Sequence, residues 1–193
     1  MTERPFIVGI GGTTRTGSTS ERALIAALAR AEALGCETRL FAADSLPFEP
    51  YDPGRPERSP QAQAMVAALR RADGLILSTP SYHGGISGLL KNAIDFIEDL
   101  REAPRPYLEA RAVGCIVCAD GAQAIGSTLM SLRAVIHALR GWPTPYGAAI
   151  FSRNRPFGAE GVAADPAAIA ACETVANEVV TFARMSRAAA LAD

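Results

Sequence analysis

The chain has 193 residues, 49% of them hydrophobic and 20% charged, with a formal net charge of -1. That length suits one well-packed domain over residues 1–193 better than two, and so even a charge gives no general attraction to nucleic acid. No apolar run approaches the ~18 residues that cross a bilayer, and the opening MTERPFIVGI sets an acidic residue and a proline before a short apolar run, unlike a secretory leader.

A soluble cytoplasmic protein with no membrane partner is therefore expected. The four scattered cysteines, Cys36, Cys115, Cys118 and Cys172, fit a reducing compartment, because a chain with this apolar fraction needs no disulfides to fold.

Phe6 to Ile10 is short, apolar and rich in branched residues, and it stops at Gly11-Gly12, which predicts a buried first strand ending in a tight loop. From Ser18 the spacing becomes helical, with Leu24, Ile25, Leu28 and Leu34 on one stripe and Gly35 as the stop. Thr38 to Ala42 reads as a short second strand. The segment Leu46 to Gly54 holds three prolines, which remove donors and restrain their neighbours, so it is predicted to be an ordered surface loop or part of an interface.

A helix from about Pro60 to Arg71 leads to a buried strand, Gly74 to Ser78, then to a loop from Thr79 to Gly85 and a helix ending near Leu100. Beyond Pro104 and Pro106 the predicted elements are a strand at Ala112 to Cys118, a helix at Gln123 to Leu139, a strand at Tyr146 to Phe151 and a closing helix at Ala167 to Met185. Five strands alternating with five helices predict an α/β fold of three layers: a five-stranded parallel sheet with helices on both faces and right-handed crossovers.

In such sheets ligands bind beyond the carboxyl ends of the strands, where the strand order reverses, so the loops there carry the functional evidence. The first, Gly11-Gly12-Thr13-Thr14-Arg15-Thr16-Gly17-Ser18-Thr19-Ser20, combines glycines, hydroxyls and one cation ahead of a helix N-terminus, which suits a phosphate monoester. The structural alternative is that Ser18 or Ser20 only caps the helix while Arg15 is solvated. A nucleoside-triphosphate loop fails because Ser18 stands where lysine is required. The dinucleotide fingerprint starting at Gly9 fails because Thr14 stands where its third glycine belongs, although Asp44 beyond the second strand keeps a Rossmann dehydrogenase as an alternative.

The second loop, Thr79-Pro80-Ser81-Tyr82-His83-Gly84-Gly85, carries aromatic and small polar groups without a formal charge, a surface for a flat, hydrogen-bonding ring system. The two loops resemble those of the NADPH-dependent FMN reductases, a flavodoxin-like family with G-S-x-R-x-x-S-x-[NST] in the first loop. Its second motif is S-P-x-Y-N-x-S-x-[PS]-G-x-[LM]-K-N-A-[IL]-D. Here they read Gly12 to Ser20 and Thr79 to Asp95.

The resemblance implies a flavodoxin-like fold with strand order 2-1-3-4-5, FMN as cofactor and NADPH or NADH as hydride donor. It places Thr13, Arg15, Ser18 and Ser20, with Thr19 between them, around the FMN phosphate. Pro80, Ser81, Tyr82, His83 and Gly84 would line the ribityl chain and ring, while Lys91, Asn92 and Asp95 hold the loop and helix in place. Asp120 and Gly121, in the loop after the fourth strand, would approach the flavin. Thr13 for serine, His83 for asparagine and Gly85 for serine depart from the pattern, and Asp120 stands where the family is richer in glycine.

Hydride transfer would run from the nicotinamide nucleotide to FMN and on to a flavin, quinone or other small acceptor, in a homodimer or homotetramer. No catalytic side chain is obligatory, because the cofactor carries the chemistry. The alternatives are a flavodoxin-like electron carrier without nicotinamide oxidation, which the near-neutral charge disfavours, and a flavin-free scaffold. Cys115 and Cys118 form a C-x-x-C inside an apolar strand, so they are expected to be buried on opposite faces rather than to form a redox pair. Only two histidines are present, too far apart in sequence for a zinc site, and no metal is expected.

Overall fold

The computed structural model describes residues 4–158 and 164–190; Met1 to Glu3 of the opening stretch lie outside the described residues. The strands are β1 (Phe6–Gly11), β2 (Glu37–Phe41), β3 (Gly74–Tyr82), β4 (Gly85–Ile86), β5 (Ala112–Ala119) and β6 (Trp142–Phe151). The α-helices are α1 (Thr19–Ala33), α2 (Pro60–Arg71), α3 (Gly88–Asp95), α4 (Ala122–Ala138) and α5 (Pro166–Ala190).

Five strands pair in parallel in the order β2-β1-β3-β5-β6, which is the predicted order once β4 is set aside. β1, β3 and β5 are central and buried on both faces, hence their almost unbroken apolar runs. On one face α1 and α5 cover the sheet through Leu24, Leu28, Cys172, Val175 and Val179; on the other α2, α3 and α4 cover it through Met65, Leu69, Leu90, Leu132 and Ile136. Cys115 belongs to the second of these cores and Cys118 to the first, so the two thiols sit on opposite faces, as their odd spacing requires.

Several boundaries differ from the sequence-based expectation: α3 ends at Asp95, with a tighter 3-10 turn from Phe96 to Leu100, and α5 runs past Met185 to Ala190. The sheet has a sixth strand: β3 runs on through Thr79, Pro80 and Ser81 to Tyr82, and its end folds back as the antiparallel β4 instead of opening into a loop. His83 and Gly84 form the two-residue turn with φ of 53° and 79°, both in the left-handed region that such hairpins require. β6 starts at Trp142 rather than Tyr146, because Pro143 and Pro145 lie on the sheet edge, where a missing N–H costs no ladder bond. α4 begins at Ala122, one residue before the expected Gln123, with Gly121 as its cap, and the loop after β5 is Asp120 and Gly121.

The proline-rich segment is ordered by the helix beyond the hairpin. Asn92 Oδ1 accepts from Tyr51 N at 2.8 Å, and Asn92 Nδ2 donates to Glu49 O at 2.9 Å. Lys91 and Asp95 pair at 2.6 Å one turn apart on the same helix, and Arg58 reaches from beyond the segment to form two bonds with Asp99 at 2.7 and 2.8 Å. Among the described residues no helix is long and apolar enough to cross a membrane.

Candidate functional site

After β1 the chain turns to α1 on one face, and after β3 it turns to α3 on the other, so a cleft opens where the two paths diverge. Hydrogen bonds tie its two walls together. Ser78 Oγ, in the middle of β3, donates to Ser20 O in the first turn of α1 at 2.7 Å. Gly12 sits where the first loop crosses the second: an added Cβ would lie 2.6 Å from Ser87 Oγ and 3.2 Å from Thr79 Oγ1, so only glycine permits the approach.

The first wall is built by the start of α1. Ser18 is the N-cap, its Oγ accepting from Glu21 N at 3.2 Å, and the carboxylate of Glu21 in return accepts from Gly17 N, a variant of the reciprocal capping box. The first intrahelical bond is Arg22 N to Ser18 O, so the N–H groups of Thr19 and Ser20 precede it and have no partner within the helix. Thr13 Oγ1 accepts from Arg15 N at 3.1 Å, which holds the loop and leaves the hydroxyl proton free to donate. The serine cap and the N–H groups without an intrahelical partner therefore belong to the same turn.

The second wall is the β3–β4 hairpin. Ser81 Oγ is committed to α4, at 3.0 Å from Ala124 O and 2.6 Å from Thr128 Oγ1, so its side chain anchors the hairpin. Tyr82 is 59% exposed, a large aromatic face presented to solvent beside the cleft.

The cleft, of about 250 Å³, is lined by Thr13, Arg15, Ser18, Thr19 and Ser20 from the first loop, Pro80, Ser81 and Tyr82 from the hairpin, and Asp120 from the third loop. Those nine were expected from the sequence. His83 and Gly84 instead form the hairpin tip, where Gly84 O accepts from Ser127 Oγ at 2.8 Å, and Gly121 is the cap of α4; none of these three is among the lining residues. Cys118, Ala119 and Ser152 also line the cleft, although the sequence reading did not place them there. Ser152 follows the last strand, and its only sequence signal is that position at a carboxyl end.

Burial pushes the Cys118 thiol well above its ordinary range, so it stays protonated and serves as packing in the cleft floor rather than as a nucleophile. Asp44, on which the Rossmann dehydrogenase alternative rests, lies in a short turn after β2 and is not among the lining residues.

The strand order, the two covering helical layers and a cleft at the switch point define a flavodoxin-like α/β protein. A sequence profile of the NADPH-dependent FMN reductases matches residues 5–155. The chain belongs to that family, a class of oxidoreductases that work with FMN and a reduced nicotinamide nucleotide.

Among known proteins, FMN-dependent NADPH-azoreductases of Staphylococcus haemolyticus (strain JCSC1435) and Staphylococcus aureus (strain USA300) are each 31% identical over 102 residues, 53% of this chain and 50% of theirs. The chain thus matches about half the length of these curated relatives.

Among solved structures, FerB of Paracoccus denitrificans, a flavoenzyme NAD(P)H:(acceptor) oxidoreductase, aligns with a TM-score of 0.74 at 16% identity, covering 94% of this chain and 98% of its own. The apo form of the NADH:FMN oxidoreductase EMOB aligns at 0.69 and 21% identity, covering 92% and 89%. At such identities these structures speak to the fold alone.

Proposed function

We propose that the chain works as a single unit that binds FMN in this cleft, takes hydride from NADPH or NADH, and passes the electrons to a small acceptor such as a free flavin or a quinone. The observation that supports it most is the meeting of two different surfaces in one cleft: a hydroxyl-rich helix start with Arg15, and an exposed aromatic hairpin. The donor set fits a phosphate monoester, because two helix-start N–H groups, four hydroxyls and one guanidinium converge with no lysine or metal required.

At about 250 Å³ the cleft is smaller than the ~300–1,000 Å³ usual for small-molecule sites, so it suits the phosphate and ribityl chain, with the ring resting at the rim. Bound there, FMN would supply the redox chemistry, two electrons entering as hydride and leaving to the acceptor. Arg15 and the α1 start would hold the phosphate, while Tyr82 and Pro80 flank the ring and keep its outer face open to a nicotinamide. The backbone of Ala119 and Asp120 closes the remaining side. No side chain of the cleft is assigned a proton-transfer role.

The azoreductase relatives make an azo compound the acceptor to test first. A second copy of the chain is the partner we assign to the outer face of α4, where Gln123, Gly126, Ser127, Met130, Ser131 and Ala134 are exposed and none is charged. This face adjoins the hairpin through Ser127. The reducing cytoplasm is the compartment we assign, since all four cysteines are free and buried.

The test is anaerobic mixing of the FMN-loaded protein with NADPH and NADH separately. Loss of oxidised-flavin absorbance with either nucleotide supports the enzyme. Bleaching by dithionite alone would leave the flavodoxin-like carrier as the better reading.

A further inference from the structure

Arg15 and the start of α1 offer one set of phosphate donors, and two further cations follow directly in the chain after a residue that lines the cleft. Ser152 lines the cleft, and the short turn Ser152–Asn154 that follows β6 presents Arg153 and Arg155, both exposed. Among the described residues neither has a carboxylate partner.

The Arg153 guanidinium and the Arg155 backbone each have a partner. The Arg153 guanidinium lies 5.8 Å from the Phe151 ring centroid. Arg155 N donates to Ser152 O at 3.0 Å, and Gly158 N donates to Arg155 O at 2.9 Å. Arg22, from the helix whose start forms the phosphate end, donates to Gly158 O at 2.7 Å and to Phe157 O at 3.4 Å. The turn is thus tied to α1.

Arg155 has φ 46°, in the left-handed region. Glycine adopts that conformation without the Cβ penalty and asparagine with less of it than arginine, so the backbone alone gives no reason for arginine here. Strain of this kind collects where a side chain is used.

We propose that Arg153 and Arg155 form a second phosphate site at the cleft rim, and that it receives the 2′-phosphate of NADPH. The proposal rests on the nucleotide-oxidising reading of the cleft and names the residues that set its donor preference. NADPH differs from NADH only by that phosphate monoester, which carries close to two negative charges near neutral pH. Two guanidiniums without carboxylate partners among the described residues, on the turn whose Ser152 lines the cleft, would discriminate between the two donors by charge and hydrogen bonding.

The test uses the FMN-loaded protein and two probes, adenosine 2′,5′-bisphosphate and AMP, whose affinities are measured by calorimetry at fixed ionic strength. In the R153A/R155G variant the affinity for the bisphosphate falls by about tenfold to a hundredfold, as expected for the loss of one or two charge-assisted contacts, while that for AMP holds. The ratio of KM for NADH to KM for NADPH falls with it. Because glycine relieves the left-handed residue, the variant unfolds at no lower denaturant concentration than the parent, which separates a lost contact from a damaged fold.

The proposal is overturned if the parent binds both probes equally, or if both affinities fall together in the variant. It is also overturned if FMN affinity drops while the probe ratio is unchanged, since the arginines would then belong to the cofactor phosphate. Failure of the parent to be reduced by either nucleotide is a different result, one that removes the enzymatic reading itself.

Discussion

Replacing Gly12 by alanine tests the crossing of the two loops directly. The new Cβ would stand 2.6 Å from Ser87 Oγ, 3.1 Å from Leu90 Cβ and 3.2 Å from Thr79 Oγ1. Ser87 cannot simply rotate away, because its Oγ caps α3 by accepting from Leu90 N at 3.2 Å and its N–H donates to Thr79 Oγ1 at 3.1 Å. Losing the cap costs about 1 kcal/mol, and losing the Thr79 bond about another 1 kcal/mol. If the contacts hold, over-packing costs roughly 1–3 kcal/mol instead.

Either route gives a destabilisation of about 1–3 kcal/mol, read from urea unfolding, together with weaker FMN binding as the two walls separate. The control is Gly126→Ala, whose Cβ meets nothing within 4 Å and whose place inside α4 makes alanine neutral or stabilising by up to ~1 kcal/mol. A Gly12→Ala protein within about 0.5 kcal/mol of the parent, the range of an ordinary surface substitution, would show that the loops do not cross as described.

Arg15→Ala is expected to weaken FMN binding by about 1–3 kcal/mol, the worth of a charge-assisted phosphate contact, with urea stability unchanged; an unaltered dissociation constant would remove Arg15 from the phosphate. Asn92→Ala breaks the bonds to Tyr51 N and Glu49 O and should cost about 2–3 kcal/mol and speed amide exchange at Tyr51, whereas unchanged exchange would contradict the clamp. Met130→Glu should convert the assembly to monomers in sedimentation equilibrium, and an unchanged mass would move the interface elsewhere.

Burial raises the Cys115 and Cys172 thiols to about 12 and pushes Cys118 up as well. Below the ordinary thiol range both folded and unfolded chains keep these protons; above it the unfolded chain releases them first. Stability should therefore fall from about pH 9 up to about pH 12, by as much as ~1.4 kcal/mol per pH unit for each thiol. A flat profile over that window in urea unfolding would contradict their burial.

The parallel core was legible because its strands are buried on both faces and read as unbroken apolar runs, and the nine cleft residues were legible because loop chemistry at a switch point is local. The hairpin was not. Pro80 reads as a breaker, yet it pairs in register with Cys118, and the turn uses His83-Gly84 where Asn-Gly would have announced it. The first residues of β6, Trp142 to Pro145, were hidden by Pro143 and Pro145, which an edge strand tolerates. Ser152 and the arginines after it were invisible for another reason: nothing local marks them, and the bonds from Arg22 to Phe157 O and Gly158 O, 135 and 136 residues away, tie that segment to the first turn of α1.

The central claim is that one cleft grips a flavin through its phosphate, and comparing FMN with riboflavin on the flavin-free protein, by fluorescence quenching in an equilibrium titration, tests it most directly. FMN should bind saturably and at least ~100-fold more tightly than riboflavin, as two charge-assisted contacts would give. Equal affinities for the two flavins, or no binding of FMN, would contradict it.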